Sequence, residues 1–190
     1  MDDTASEIDA ALATDATIPR EKVVHWIDST SDLRTLEKLY RLTGQGYDRI
    51  QPELDSDITC GLIQRFLLQC IREDVHDDNE IPPRWEAAYT FSTWFFHLAQ
   101  MKEDNSTILR RAAEGVTQLY LASDDAARIA IEQGFLEHAL EMKSLHGFFE
   151  QWSRDDRLRP AWERAMEWAG DHPNYTWNLL QQFKAKIQEN

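Results

Sequence analysis

The apolar residues of this chain recur at the helical period in one segment after another, and this pattern limits the possible folds more than any other feature of the sequence. Ile58, Leu62 and Phe66, for example, follow one another at intervals of four positions. Residues three and four positions apart share one face of an α-helix, so such a segment presents one broad apolar stripe. The pattern predicts amphipathic helices that pack their apolar faces against one another.

Helix-starting and helix-stopping residues divide the chain into about eight such segments. Ser31 and Asp32 precede one of them as N-cap residues, and Pro160 fits the first turn of another. The sequence holds only seven Gly and six Pro, too few for the many tight turns of a large sheet. Short connections make successive helices antiparallel neighbours. We therefore expect an all-α chain of about eight helices, arranged as a single-domain helical bundle or as a short HEAT-like stack of antiparallel helix hairpins.

The same pattern predicts the domain organisation. Residues 1–18 are acidic and rich in Ala and Thr, with little apolar surface, so we expect a flexible acidic N-terminus. Residues 19–190 are expected to form one all-α domain. Its last helix is predicted to follow Pro173 and to carry an apolar stripe, made of Thr176, Leu179, Leu180, Phe183 and Ile187.

The net charge of −14, from 34 acidic and 20 basic residues, bears on the class of partner. Nucleic acids and anionic membranes are both bound through cationic surfaces, so neither is expected as a partner. A basic protein partner suits an acidic surface better. Two cysteines ten positions apart in one helix lie about 15 Å apart and cannot pair. Without a disulfide framework or an apolar run of about 18 residues, the sequence predicts a cytoplasmic protein that does not span a membrane.

A short motif carries a resemblance to a known group of proteins. Residues 134–137 read Gly-Phe-Leu-Glu within a helical segment, and Leu158-Arg159-Pro160 opens a later helix that contains Trp168. This resembles an uncharacterised family of small bacterial all-helical proteins with a "GFLE" helix and a downstream "LGP-like" helix start, in which Arg159 here replaces the glycine. Some members of that family look like immunity proteins of toxin systems. The resemblance implies an all-helical protein with no enzyme activity and no cofactor.

The leading functional prediction is a non-enzymatic protein-interaction module with an acidic surface that binds and occludes a basic partner. The resemblance implies a module of the immunity type. Clustered carboxylates attract a basic partner over a distance, and an exposed aromatic residue can anchor it. The residues that we expect to contact the partner are Asp74, Asp77, Asp78, Glu80, Trp85 and Glu137. For the Gly134–Glu137 motif, packing of the first three residues is the simpler explanation, which leaves Glu137 to face a groove.

Two alternative functions rest on other residues. Glu73 and His76 have the spacing of one half of a di-metal carboxylate site, although the second half is missing. Glu137, His138, Glu141 and His146 bring carboxylates and imidazoles close in sequence, which suits a metal site or an acid–base pair. These residues suggest a metal-dependent helical hydrolase-type enzyme as the alternative, whereas the leading prediction includes no metal and no cofactor. A peptide-binding helical scaffold is the other alternative, and an exposed aromatic patch would favour it.

Overall fold

The computed structural model describes residues 3–76, 80–173, 175 and 178, and over these residues the chain is all-α. This confirms the predicted fold class. Residues 77–79 and most of the segment after Pro173 lie outside the described residues, so the predicted last helix with its stripe from Thr176 to Ile187 is not described. The chain divides into two compact units, residues 1–82 and residues 83–190. The single domain over residues 19–190 stays a prediction.

The first unit consists of four helices and one pair of very short strands. The helices are α1 (Asp3–Leu12), α2 (Arg20–Ser29), α3 (Leu33–Gln45) and α4 (Ser56–Glu73). Strand β1 (Ile18–Pro19) pairs in parallel with β2 (Ile50–Gln51), and a 3₁₀ turn, Tyr47–Arg49, precedes β2. Asp32 caps α3 as predicted, because its carboxylate accepts a hydrogen bond from the Thr35 amide at 3.0 Å.

Helix α1 differs from the flexible N-terminus that the sequence predicts for residues 1–18. Residues 3–12 form a helix that contacts α3, and the Ile8 side chain is completely buried. Glu7 accepts a hydrogen bond from the Trp26 indole at 3.1 Å, and Asp9 pairs with Lys38 at 2.6 Å. Further polar contacts hold the helix, since Lys22 pairs with Glu7 at 3.1 Å and the Arg49 guanidinium donates to the Ala11 carbonyl oxygen.

The second unit begins with two long helices, α5 (Arg84–Gln100) and α6 (Ser106–Ala122). A continuous helical segment follows, in which α7 (Asp125–Ala130) passes through a π-helical turn (Ile131–Leu136) into α8 (Glu137–Leu140). A 3₁₀ segment (Lys143–Phe149) then leads to α9 (Glu150–Arg154) and α10 (Arg159–Asp171).

Aromatic rings fill the core of the second unit. The ring centroid of Phe135 lies 5.2 Å from that of Phe91 and 5.6 Å from that of Phe95, so the π turn packs directly on α5. Phe149 and Trp152 continue the cluster and are fully buried. This packing holds the π turn and α8 between α5 and α10, and a cleft opens there.

No helix in the described part of the chain is long and apolar enough to cross a membrane.

Candidate functional site

The second unit contains a cleft of about 560 Å³, a volume within the usual range for ligand sites. Helix α5 forms one wall and α10 the other, while the π turn and α8 form the floor. Aromatic and imidazole rings dominate its lining, which consists of Trp85, Tyr89, Gln133, Glu137, His138, Trp168, His172 and Tyr175.

Each wall carries a pair of stacked rings at i,i+4 spacing. Trp85 and Tyr89 on α5 are parallel to within 3°, with ring centroids 6.0 Å apart. Trp168 and His172 at the end of α10 stack at 4.5 Å with 17° between the rings. Residues four apart lie above one another on a helix, which brings the two rings of each pair together along its wall. Trp85 leaves 52% of its surface exposed, an unusual amount for a tryptophan.

His138 joins the two walls at the floor. Its ring stands nearly perpendicular to Tyr89 and to Trp168, with centroids 5.1 Å and 4.9 Å away. Its Nδ1 atom lies 3.0 Å from Glu141 Oε1, and the Glu141 side chain is almost completely buried. A histidine held by a carboxylate on one nitrogen and by rings on both sides has a fixed orientation. We infer that His138 acts as a rigid support for the floor of the cleft.

Glu137 is the acidic group of the cleft. Its side chain is half-buried, and this burial raises the pKa of its carboxyl group above the ordinary value. Glu132, one turn earlier, forms an ion pair with Arg164, whose Nη2 lies 2.8 Å from Glu132 Oε2. Among the described residues no Lys or Arg forms such a pair with Glu137. The cleft therefore contains a carboxylate that lacks a cation from this part of the chain.

The π turn explains why Glu137 and His138 lie at the floor. A Cβ atom added to Gly134 would lie 2.8 Å from Ala88 Cβ and 3.2 Å from the Trp85 carbonyl oxygen, so only glycine allows this close approach to α5. Phe135 and Leu136 are fully buried. The structural explanation of the Gly-Phe-Leu segment is thus confirmed, and a π turn changes the rotation of the residues that follow it. Glu137 follows directly and lines the cleft.

The described residues among those proposed for partner binding belong to two different units. Asp74 ends α4, with its carboxylate 3.3 Å from His76, and Glu80 pairs with Arg41 at 2.7 Å, both in the first unit. Asp77 and Asp78 lie outside the described residues. Trp85 and Glu137 belong to the second unit, where the structure brings them together in the cleft.

The residues of the enzyme alternative form no metal cluster in the described part of the chain. His76 contacts Asp74 rather than Glu73, which accepts a hydrogen bond from Gln69 at 2.7 Å. His146 is directed to the Leu140 carbonyl oxygen at 2.8 Å, away from the pair of His138 and Glu141. Both cysteines are buried and neither is in a disulfide. Burial raises the pKa of the Cys70 thiol to about 12, so it stays protonated and is a poor nucleophile.

A second cavity, of about 400 Å³, lies in the first unit near Tyr40 and Ile63. Its charged residues are paired with one another, since Arg41 lies 2.7 Å from Glu80 and 3.7 Å from Glu37. The cleft of the second unit differs because Glu137 has no such cationic partner among the described residues, and it is the stronger candidate for a binding site.

Sequence reasoning found only Trp85, Glu137 and His138 of the cleft. It missed five other lining residues, which are Tyr89, Gln133, Trp168, His172 and Tyr175. The i,i+4 spacing of the two ring pairs was visible in the sequence. That spacing is also typical of core packing, and only the contacts between helices show which aromatic residues face a cleft.

No protein-family model, no curated protein and no solved structure matches this chain. The site must therefore be interpreted from its own geometry and chemistry.

Proposed function

We propose that this chain is a non-enzymatic protein-interaction module whose aromatic cleft receives a cationic side chain of a basic protein partner. The observation that carries the proposal is the half-buried Glu137 carboxylate among stacked rings, without a Lys or Arg partner in the described residues. Aromatic faces attract cations, and a nearby carboxylate adds charge complementarity. The net charge of −14 supports the same class of partner, because it attracts basic proteins over a distance.

The exposed aromatic residues support a direct role in docking. Trp85 and Tyr175 are among the most exposed large apolar residues in the described chain, and both line the cleft. Tryptophan and tyrosine are frequent anchors of protein interfaces. An exposed aromatic patch also favours the peptide-binding scaffold, and we combine the two proposals: the cleft holds one side chain of an extended basic segment.

The resemblance of the Gly134–Glu137 motif to immunity-type proteins suggests the biological use of such binding. A protein of that type would occlude a basic toxin, and the acidic surface would stand in for an anionic substrate. In this proposal Asp74, Asp77, Asp78 and Glu80 attract the partner, while Trp85 and Glu137 hold one of its side chains.

The proposal is tested by capture of partners from the lysate of the native organism with three forms of the immobilised chain. These are the unchanged chain, the cleft variant Trp85→Ala/Glu137→Gln and the control variant Glu114→Gln/Ile129→Ala, which changes one exposed acid and one exposed apolar residue outside the cleft. We expect a basic protein to be retained by the unchanged chain and by the control, released at moderate salt, and lost with the cleft variant. Equal retention by the cleft variant would contradict the proposal.

The buried pair of His138 and Glu141 supports a second candidate, a metal-dependent hydrolase-type enzyme. A histidine oriented by a carboxylate is a common arrangement in hydrolases and around metal ions. Elemental analysis of protein purified without added metal distinguishes the two functions. One tightly bound ion per chain, lost in a His138→Ala variant, would favour the enzyme.

A further inference from the structure

The rings of the cleft take two nearly perpendicular orientations, and this restricts the shape of the cation that fits. Trp168 and His172 are parallel to within 17°, and His138 and Tyr175 are parallel to within 21°. Tyr175 stands at 84° to Trp168 and at 84° to His172, with centroids 5.8 Å and 6.3 Å away. Tyr89 stands at 85° to the His138 ring on the floor. The lining therefore resembles the sides of a box more than a slot between two parallel planes.

A planar guanidinium group suits parallel ring faces and a carboxylate that accepts two hydrogen bonds. A tetrahedral alkylated ammonium group directs its alkyl groups to several sides at once, and each can contact a different ring face. Perpendicular rings thus match the tetrahedral cation better than the planar one. Aromatic boxes of this kind are a general solution for binding quaternary ammonium groups.

The hydration of the cation favours the same choice. A primary ammonium is strongly hydrated, and its three N–H donors need acceptors once water is removed. The Glu137 carboxylate, the Gln133 amide and the tyrosine hydroxyl groups of the lining can accept from them, whereas a quaternary ammonium needs no acceptor and is more weakly hydrated. It therefore loses less on entering a site whose lining is dominated by rings.

We propose that the cleft selects an N-alkylated ammonium group, such as that of trimethyllysine or choline, over a primary ammonium or a guanidinium. Glu137 balances its positive charge, while the perpendicular rings of Trp168 and Tyr175 contact its alkyl groups and Trp85 and Tyr89 line the opposite wall. The inference rests on the proposed function, because it concerns the same cleft. It adds the chemical class of the cationic group that binds there.

The test is a calorimetric titration of the full chain with four probes at constant ionic strength. They are choline and the Nα-acetyl methylamides of trimethyllysine, lysine and arginine. We expect the trimethyllysine probe to bind about 10-fold more tightly than the lysine and arginine probes, because the rings favour a weakly hydrated cation. Comparison of the choline and trimethyllysine probes identifies the kind of molecule that carries the ammonium group. Equal affinity indicates that the cleft recognises the headgroup alone. Tighter binding of the trimethyllysine probe indicates that the group belongs to a protein.

Two variants and one control locate the binding. Trp85→Ala and Glu137→Gln are each expected to weaken binding of the trimethyllysine probe by about 5- to 10-fold. Trp85 is exposed, so its replacement leaves the core intact, and circular dichroism checks the fold of each variant. The control Ile129→Ala removes an exposed apolar side chain outside the cleft and should leave the affinity unchanged.

The outcomes separate this inference from the proposed function. If the lysine or arginine probe bound as tightly as the trimethyllysine probe, the proposed selectivity would be overturned. A cleft that receives a basic partner would still agree with that result. Absence of binding by both alkylated probes would overturn the inference, whatever the capture experiment shows. Loss of partner capture in the cleft variant would then still support the proposed function by itself.

Discussion

Gly134 shows how one residue determines the position of the cleft floor. We expect Gly134→Ala to lower the free energy of unfolding by about 1–3 kcal/mol, because its methyl group would lie 2.8 Å from Ala88 Cβ in a tightly packed contact. The second variant Ala88→Gly removes the opposing methyl group. The double variant should therefore lose less stability than the two single variants together, as measured by denaturant unfolding.

Gly170 provides the matched control for this prediction. It also lies in a helix, but a Cβ atom added there meets nothing within 4 Å. Gly170→Ala is expected to leave stability unchanged or to raise it by up to about 1 kcal/mol, since alanine is the better helix former. Similar losses at Gly134 and Gly170 would show that packing against α5 is not the reason for the glycine.

Glu137 is expected to reduce the stability of the free protein at neutral pH. Burial raises the pKa of its carboxyl group in the folded state, so the folded chain binds a proton more tightly than the unfolded chain does. Stability should therefore fall as the pH rises from the ordinary glutamate pKa, about 4.3, through the raised value. We expect Glu137→Gln to be more stable than the unchanged chain at pH 7, with the difference shrinking towards pH 4.

Unfolding curves at a series of pH values test this prediction, with Glu114→Gln on exposed α6 surface as the control. A Glu137→Gln variant that is less stable at pH 7 would indicate that Glu137 has a stabilising partner. A cost in stability for an acid that binds a ligand is a known compromise at functional sites.

At the scale of elements, a buried hydrogen bond joins α6 to α9. The indole nitrogen of Trp152 donates to Thr117 Oγ1 at 2.8 Å, and the same hydroxyl donates to the Ala113 carbonyl oxygen at 2.8 Å. Thr117→Val keeps the shape but leaves the buried indole N–H without this acceptor. We expect a loss of about 1–3 kcal/mol in the free energy of unfolding.

A double-variant cycle with Trp152→Phe isolates the hydrogen bond from the packing. Once the indole is absent, Thr117→Val should cost clearly less than in the unchanged chain. Equal costs in both backgrounds would show that the hydroxyl of Thr117 stabilises the protein through its bonds to Ala113 and Gln151 and not through the indole.

Ile8 is the buried apolar anchor of α1. Ile8→Ala removes a completely buried residue from this helix, so we expect the amides of residues 3–12 to exchange hydrogen much faster. Hydrogen exchange read by mass spectrometry measures the effect, and Ile129→Ala at an exposed site serves as the control. Equally fast exchange in the unchanged chain and in Ile8→Ala would contradict the docking.

The sequence predicted the regular elements better than the irregular ones. The cap at Asp32 and the apolar stripe of α4 depend on neighbours within the same helix, so local patterns revealed them. The π turn at residues 131–136 depends on the close approach of Gly134 to α5, which is a contact between distant residues. The docking of α1 was not predicted, because one buried isoleucine and its polar contacts are too small a pattern to detect.

At the scale of the whole molecule, charge and site have to be considered separately. The net charge of −14 was known from the sequence and suggests a basic partner, but it does not locate a site. The structure shows that Asp74 and Glu80 have partners within the first unit, whereas Glu137 lies among aromatic rings in the second. Helices α5, α8 and α10 meet at one cleft because distant parts of the chain pack together, and no local sequence pattern predicts such packing.

The most direct test of the cleft is a titration of ¹⁵N-labelled protein with choline, followed through the indole N–H resonances of the tryptophans. We expect the resonances of Trp85 and Trp168 to shift and to saturate together, because both rings line the cleft. Trp26 and Trp152, which are buried elsewhere, should not shift. Unchanged Trp85 and Trp168 resonances at saturating choline, or equal small shifts of all the indoles, would contradict a cation site between α5 and α10.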